Sequence, residues 1–233
     1  MKSKRNREMD TLVDKQKLYK IEEAIDILKK APPVKFDQSV DLALKTGIDT
    51  QKSDQQVRGI VSLPNGTGKK LTVLVFAKGD KMKEALDAGA TYAGHDELFE
   101  KVKGGWTDFD VAVATPDMMR VIGQLGKILG PRGLMPNPKT GTVTMDLTRT
   151  VKELRGGRIE FRIDKQANIA VSVGKISFTE QQIVENVNSF LDAIMRAKPA
   201  SAKGSYVLGA SICTTMSPGI KLDQSEIAAV AKK

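Results

Sequence analysis

The stretch from 126 to 144, GKILGPRGLMPNPKTGTVT, contains the side chains whose chemistry is simplest to interpret. It has three basic residues, Lys127, Arg132 and Lys139, with four glycines, three prolines and no acidic residue. Cationic side chains without acidic neighbours can neutralise phosphates, and glycines let backbone N–H groups approach closely. The prolines limit the entropy that a loop loses on binding. The stretch therefore predicts a loop that binds a polyanion, with an ordinary irregular surface loop as the alternative.

Side chains for catalysis are scarce. His95 and Cys213 are the only histidine and cysteine, which excludes a Cys/His zinc site and an internal disulfide. The segment NGTGKK fails as a phosphate-binding P-loop, because Leu63 stands where a glycine is needed and Lys70 where a serine or threonine is needed. We therefore expect no enzyme, no metal and no cofactor. An α/β phosphate-binding enzyme is the competing hypothesis.

The positive charge is concentrated in one part of the chain. The whole sequence has a net charge of +9, and residues 120–175 hold eleven basic and four acidic residues, whereas 80–117 hold nine acidic and four basic. Such an asymmetry favours a polyanion-binding side over a merely solvated face. No apolar signal segment and no run long enough to span a bilayer is found. We expect a cytoplasmic protein with no membrane partner.

The segment CTTMSPG, residues 213–219, combines hydroxyl groups and a methionine without any charge. This mixture suits close packing against the sugar edges and 2′-OH groups of folded RNA. Solubility at a strand end explains it equally well. Because aromatic residues make up only 5% of the chain, a stacking platform for single strands is disfavoured. Structured RNA is the predicted target.

Two different patterns of elements must position these groups. Residues 20–30 predict a helix, 35–47 a half-buried strand, and 55–64 the antiparallel partner of that strand. From 71 to 129, apolar strands alternate with helices, the last helix covering 117–129, which is typical of a parallel α/β unit. The residues of the strand 35–47 that alternation directs to one face are Phe36, Val40, Leu42 and Leu44.

The first pattern returns near the end of the chain. Residues 158–175 predict a hairpin, and a helix follows from about 178, with Thr179 and Gln182 as its capping box. The predicted fold is α/β with two domains. One is a discontinuous, split α+β sandwich domain of residues 1–67 plus 158–233, and the other an inserted Rossmann-like three-layer α/β domain of residues 68–157. Glycine-rich crossings between them predict a hinge at Gly66, Gly68, Gly156 and Gly157.

Several long motifs resemble one known family. LGKILGPRGLMPNPKTGTVT is similar to the signature of the ribosomal protein L-one family, the universal stalk protein of the large ribosomal subunit. KSDQQVRGIVSLPNGTGK, RAKPASAKGSY and TTMSPG extend the resemblance over nearly the whole chain. The length resembles that of bacterial members.

The resemblance implies a two-domain protein without catalytic activity. Its terminal domain is expected to bind the large-subunit rRNA stalk next to the tRNA exit site, and to assist the movement and release of deacylated tRNA. The implied partners are large-subunit rRNA, exit-site tRNA and the leader of its own mRNA, whose translation it would repress. The protein is expected to be a monomer when it is free. In the cytoplasm it is expected to be bound in the large ribosomal subunit.

The resemblance also implies site residues. Phe36 has a second interpretation as a core residue of its strand. Ser217 stands where the family usually has glycine, and Ala170 where it commonly has histidine, so Ser217 is expected to crowd the RNA and Ala170 to remove one contact. The residues carried over for rRNA binding are Lys35, Phe36, Ser39, Lys165, Thr215, Met216 and Ser217. A secondary RNA contact is expected at Lys127, Arg132 and Lys139.

Overall fold

The computed structural model describes residues 4–14, 16–202, 204–225 and 227. The described chain divides into two compact units, the first made of residues up to Gly68 and from Ile159 onward, the second of Lys69–Arg158. Both contain helices and sheets, so the predicted α/β class is confirmed. The helices and strands in chain order are α1 (Lys4–Leu12), α2 (Ile21–Lys29), β1 (Ser39–Thr46), β2 (Arg58–Ser62), β3 (Val73–Phe76), α3 (Asp80–Asp87), β4 (Tyr92–Gly94), α4 (Asp96–Lys103), β5 (Val111–Ala114), α5 (Met119–Ile122), α6 (Gly126–Leu129), α7 (Leu147–Arg155), β6 (Arg158–Arg162), β7 (Asn168–Lys175), α8 (Glu180–Arg196), β8 (Val207–Thr214) and β9 (Ile220–Leu222).

A four-stranded sheet forms the centre of the first unit. Its order is β7-β1-β8-β9, and β1 runs antiparallel to both of its neighbours. Val40, Leu42 and Leu44 of β1 are buried in the core that α2 and α8 share. The alternate residues of β1 lie on the other face and stay partly exposed. An antiparallel sheet commonly leaves one face to solvent in this way.

Helix α8 follows its sequence prediction closely. The Gln182 N–H donates to Thr179 Oγ1 (3.3 Å), and the Thr179 N–H donates to Gln182 Oε1 (3.0 Å), so the predicted capping box is confirmed. Two otherwise unpaired backbone donors are thereby satisfied at the start of the helix. The residues of its buried stripe are Ile183, Asn186, Val187, Phe190, Leu191 and Ile194.

Two predicted strand pairings are wrong. Strand β2 pairs with β6 in a separate two-stranded sheet, and not with β1. The predicted hairpin of 158–175 fails for the same reason, since β6 and β7 belong to different sheets. Phe161 of β6 packs edge-on against Phe190 of α8, with ring centroids 5.8 Å apart. A Cβ at Gly59 of β2 would lie only 2.6 Å from the Phe161 ring. The ring of Phe161 on β6 therefore packs directly against the backbone of β2 at this glycine.

Asp164 closes the turn between β6 and β7. Its Oδ1 accepts the Asn168 and Gln166 N–H groups, each at 2.8 Å, and these bonds lower the pKa of the carboxyl. Ala167 in the same turn has φ of 64°, a left-handed conformation unusual for a residue with a side chain. The turn directs the chain out of one sheet and into the other.

The second unit contains a three-stranded parallel sheet in the order β4-β3-β5. Leu74 and Phe76 of β3 face a core shared with α4 and the helical turns of 116–129. Val73 and Val75 face a second core shared with α3 and α7. Coverage on both faces explains the uninterrupted apolar run of β3.

The single helix predicted over 117–129 is wrong in detail. The segment begins in the 3-10 turn Pro116–Met118 and continues as α5 and α6, which a second 3-10 turn joins through a bond from the Gly126 N–H to the Gly123 carbonyl. Two glycines in thirteen residues weaken α-helical propensity and let the tighter turn form. Of the five side chains that helical periodicity directs inward, Ile122, Leu125 and Leu129 are buried nevertheless, whereas Val121 and Ile128 are half-buried.

Candidate nucleic-acid interface

One end of the four-stranded sheet brings together four of the seven residues predicted to bind rRNA, Ser39, Thr215, Met216 and Ser217, and Lys35 and Phe36 immediately precede this end along the chain. The start of β1, the end of β7 and the turn 215–217 meet there. The Ser39 N–H donates to Thr215 Oγ1 (3.1 Å), and the Thr215 N–H donates to the Ser39 carbonyl (3.1 Å). We call this group the strand-end cluster, and its members are Lys35, Phe36, Ser39, Lys175, Thr215, Met216 and Ser217.

Gln38 organises the strand-end cluster from below. Its side chain is only 4% exposed, and Oε1 accepts the Thr214 hydroxyl (3.0 Å) and the Met216 N–H (3.1 Å). Because the buried amide oxygen accepts both hydrogen bonds, it fixes the backbone of the turn 215–217 in one conformation. Gln38 was not among the residues predicted from the sequence, although a polar residue at an inward position of an alternating strand was a signal for it.

The hydroxyl of Ser217 is used inside the turn. Ser217 Oγ accepts the Thr214 N–H (2.8 Å) and donates to the Pro218 carbonyl (3.1 Å), while the Ser217 N–H bonds to the Thr214 carbonyl (3.1 Å). The side chain that was expected to crowd a bound RNA is thus held against its own backbone. Its bonds close the turn that presents Met216.

Lys175 adds a cation that the sequence analysis did not select. Its Nζ donates to Ser39 Oγ (3.0 Å) and to the Asp37 carbonyl (3.4 Å). The carboxylate of Asp37 meanwhile accepts the Ser177 hydroxyl (2.8 Å). The ammonium group therefore stands beside one hydroxyl oxygen and one carbonyl oxygen at the sheet end, where a phosphate could reach it.

Phe36 and Met216 are each 52% exposed. The interpretation of Phe36 as a core residue is therefore wrong. Strand β1 begins only at Ser39, and Gln38 occupies the inward position before Val40. Two large apolar side chains beside hydroxyls and lysines form a surface that can bury against sugar and base faces while its polar groups bind phosphates and 2′-OH groups.

Lys165 is not part of the strand-end cluster. It is exposed in the turn between β6 and β7, where its carbonyl accepts the Thr50 hydroxyl (2.8 Å). Strand β7 runs for eight residues from this turn and ends at Lys175, a span of about 25 Å at a rise of ~3.3 Å per residue. The two lysines thus lie at opposite ends of one sheet.

The open face of the sheet between these ends carries small side chains. Asp41 is the carboxylate of this face on β1, and it lies opposite Cys213 of β8. Burial, with the charge of Asp41, raises the pKa of the Cys213 thiol, which therefore stays protonated at neutral pH. The small residues at these half-buried or exposed positions are Ala43, Ala170, Ser172, Gly209 and Ser211. Small side chains allow another molecule to approach the sheet closely.

In the second unit, Lys127, Arg132 and Lys139 are all exposed, and Arg132 donates to the Thr107 hydroxyl. Lys127 lies in α6, so the predicted loop begins only after Leu129, and Arg132 and Lys139 lie in that loop, which is ordered by internal bonds. The Asn137 N–H donates to Thr142 Oγ1 at 2.8 Å. The three cations therefore stand on a fixed backbone, which reduces the entropy that binding would remove.

Gly141 shows how closely this loop is packed. Its φ is 60°, and a Cβ there would collide with the guanidinium of Arg158. That guanidinium donates to the Thr140 carbonyl (2.7 Å) and pairs with Glu153 (2.9 Å). Only glycine fits both the dihedral angle and the space.

The four glycines predicted as a hinge lie in two different settings. Gly66 and Gly68 follow β2 with φ of 67° and 71°, and Gly156 and Gly157 connect α7 to β6. The buried Asn186 side chain holds the first pair, since its Nδ2 donates to the Gly66 carbonyl (2.9 Å). A Cβ at Gly68 would lie 2.7 Å from Lys175 Cγ.

Metal sites and membrane-spanning helices were also sought in the part of the chain that the structure describes. Among those residues, no three His, Cys, Asp or Glu side chains are grouped as metal ligands would be. None of their helices is long and apolar enough to cross a membrane.

The model of the family described as "Ribosomal protein L1p/L10e family" matches residues 28–218. A large ribosomal subunit protein uL1 from Protochlamydia amoebophila (strain UWE25) is 62% identical over 231 residues, covering 99% of this chain and 98% of that protein. Proteins of the same name from Chlamydia caviae and Chlamydia trachomatis serovar D are each 57% identical. The first match covers 93% of both chains, and the second covers 97% of this chain and 98% of its relative.

Proposed function

Because the chain belongs to the ribosomal protein L1p/L10e family, whose members are structural ribosomal proteins and not enzymes, we propose that it is a structural protein of the large ribosomal subunit. It binds the large-subunit rRNA stalk next to the tRNA exit site, in the cytoplasm. The observation that carries this proposal is the strand-end cluster, where exposed apolar groups, hydroxyls and lysines converge on a rigid turn.

The strand-end cluster suits recognition of folded RNA by shape. Hydroxyls of Ser39 and Thr215 and the backbone of the turn can bond to 2′-OH groups, which distinguish RNA from DNA. Phe36 and Met216 supply apolar area, and Lys35 and Lys175 supply phosphate contacts. Few of these groups are charged, so most of the affinity should come from fit and not from counterion release.

We expect tight binding to a stalk rRNA fragment that persists as salt rises. Between 50 and 500 mM salt, affinity for the fragment should fall less than about tenfold, whereas affinity for a generic RNA duplex should fall more than about 100-fold. The reason is that only phosphate contacts release counterions. Filter binding of the purified protein to both RNAs across the salt series measures this.

The generic duplex is the matched control, since it offers phosphates without the stalk's shape. If the two RNAs bind with equal affinity and both lose binding together as salt rises, the proposal is contradicted. Binding would then come only from the positive charge of the protein surface.

The loop with Lys127, Arg132 and Lys139 is proposed as a secondary RNA contact. Its three exposed cations and ordered backbone support that role. The proposed partner is the exit-site tRNA or neighbouring rRNA, and this contact would assist the movement and release of deacylated tRNA.

Replacing Lys127, Arg132 and Lys139 together by alanine is expected to weaken RNA binding about three- to tenfold at low salt. Phosphate contacts would be lost, so the binding of the variant should also depend less steeply on salt concentration. Binding of the full chain to a tRNA and to the stalk fragment at 50 mM salt tests this. The matched control replaces Lys78, Lys83 and Lys103, exposed lysines of the same unit, and unchanged binding by the first variant would exclude a direct role.

We further propose that the two units act as domains, with limits near 1–67 plus 158–233 and 68–157. Gly66, Gly68, Gly156 and Gly157 would form the hinge between them, supported by the positive φ angles of three of them. The free protein would be a monomer. It would also repress translation of its own mRNA by binding, through the strand-end cluster, a leader structure similar to the rRNA stalk.

A further inference from the structure

A depression of about 500 Å³ lies at the end of the four-stranded sheet opposite the strand-end cluster. It is lined by the end of β1, the start of β7, the start of β8, β9 and Leu18. Its volume falls within the range of about 300–1,000 Å³ that small-molecule sites occupy. The space therefore suits one compact ligand group.

The lining combines apolar and cationic groups. Leu18 is 52% exposed and Leu208 46% exposed, so two large apolar side chains meet water where burial would be favourable. Lys45 and Lys221 are exposed on the lining as well. None of the described residues that line the depression is acidic. A ligand with an apolar part and a negative charge fits this combination.

Polar groups on the lining can form hydrogen bonds with the edge of such a ligand. Asn168 lines the depression at the start of β7, and Ser211 lines it on β8. An amide and a hydroxyl both donate and accept hydrogen bonds, as the edges of a nucleobase do. Base, sugar and phosphate would each find a matching group here.

The depression is continuous with the proposed RNA surface. Ala43 and Ser211 belong both to its lining and to the open face of small side chains that leads to the strand-end cluster. Lys165, exposed three residues before Asn168, adds a cation at the same end. An RNA seated on the strand-end cluster and running along the sheet would reach the depression.

We propose that this depression holds one unpaired nucleotide, turned out of the bound RNA, with its base between Leu18 and Leu208 and its phosphate at Lys45 or Lys221. The proposal rests on the proposed rRNA binding and adds to it a second point of recognition. A base taken out of its stack loses stacking energy, so the site selects an RNA in which that base is already unpaired.

The test couples a protein variant to changes in the RNA. In the stalk fragment, each unpaired nucleotide is replaced in turn by an abasic residue, and binding is measured for the unmodified protein and for the variant with Leu18→Ala and Leu208→Ala. One position is expected at which removing the base weakens binding of the unmodified protein about tenfold. The same change should weaken binding of the variant less than about twofold, because the base contact is already lost.

The matched control variant carries Leu12→Ala and Leu86→Ala, which remove exposed leucines outside the depression, and it should respond to each abasic residue as the unmodified protein does. Equal losses for protein and variant at every position would overturn the nucleotide site. Full RNA affinity of the Leu18 and Leu208 variant would also overturn it, and would leave the depression to a different partner such as an acidic peptide. If the unmodified protein binds the intact fragment no better than a generic duplex, the proposed function itself fails, and this site fails with it.

Discussion

Replacing Phe36 and Met216 together by alanine is expected to lower the affinity for the stalk rRNA fragment about 100-fold. Both side chains are half exposed without a bound partner, and exposed apolar groups at the centre of an interface contribute about 1–2 kcal/mol each when a partner buries them. Their sum corresponds to roughly two factors of ten in the dissociation constant. Titration calorimetry of the variant and the unmodified protein at one fixed salt concentration measures the change.

The control variant for this experiment removes equal apolar area elsewhere. Leu86 and Met145 are 49% and 54% exposed in the second unit, and their replacement by alanine should leave stalk affinity unchanged within about twofold. Thermal unfolding should be nearly the same for all three proteins, since none of the four side chains belongs to a buried core. A loss of less than about fivefold for Phe36 and Met216 would contradict their place at the centre of the interface.

Replacing Asn186 by leucine is expected to destabilise the first unit by about 3 kcal/mol. The Asn186 amide is fully buried, and it donates to the carbonyls of Val173 (2.7 Å) and Gly66 (2.9 Å) and accepts the Asn65 N–H (3.1 Å). Leucine fills a similar volume but leaves these backbone groups buried without partners. For a unit of this size, the midpoint of thermal unfolding should fall by about 10 °C.

Two spectroscopic signals separate the effects on the two units. Trp106, the only tryptophan of the chain, lies in the second unit, so its fluorescence follows that unit, whereas far-ultraviolet circular dichroism follows both. The dichroism transition of the Asn186 variant should shift, and the fluorescence transition should stay in place. Gln181→Leu, at an exposed position of the same helix, is the control. A dichroism shift no larger than that of the control would refute the role of the Asn186 bonds.

The helices and the core were largely predictable from the sequence. The apolar stripe of α2 at Ile21, Ala24, Ile25 and Leu28 is buried as its periodicity indicates. The capping box of α8 joins residues only three positions apart. Such signals depend on neighbouring residues, whose geometry the helix itself fixes.

Strand pairing was not predictable in the same way. The pattern of residues 55–64 correctly indicates a strand, but an alternation of apolar residues does not specify a partner, and β2 takes β6 where β1 was expected. The residues of 158–175 likewise form two strands that a local turn joins without pairing them. Pairing depends on which faces pack together across the whole chain, here through the contact of Phe161 with Phe190.

The sequence by itself determined the α/β class, the main helices, the concentration of positive charge and the residue types suited to folded RNA. Only the tertiary structure decided which of these residues meet. The bond between Ser39 and Thr215 joins positions 176 residues apart, and the same convergence includes Gln38 and Lys175 while leaving Lys165 at the far end of the sheet. Contacts over such distances arise from the packing of the whole unit, and local sequence patterns do not encode them.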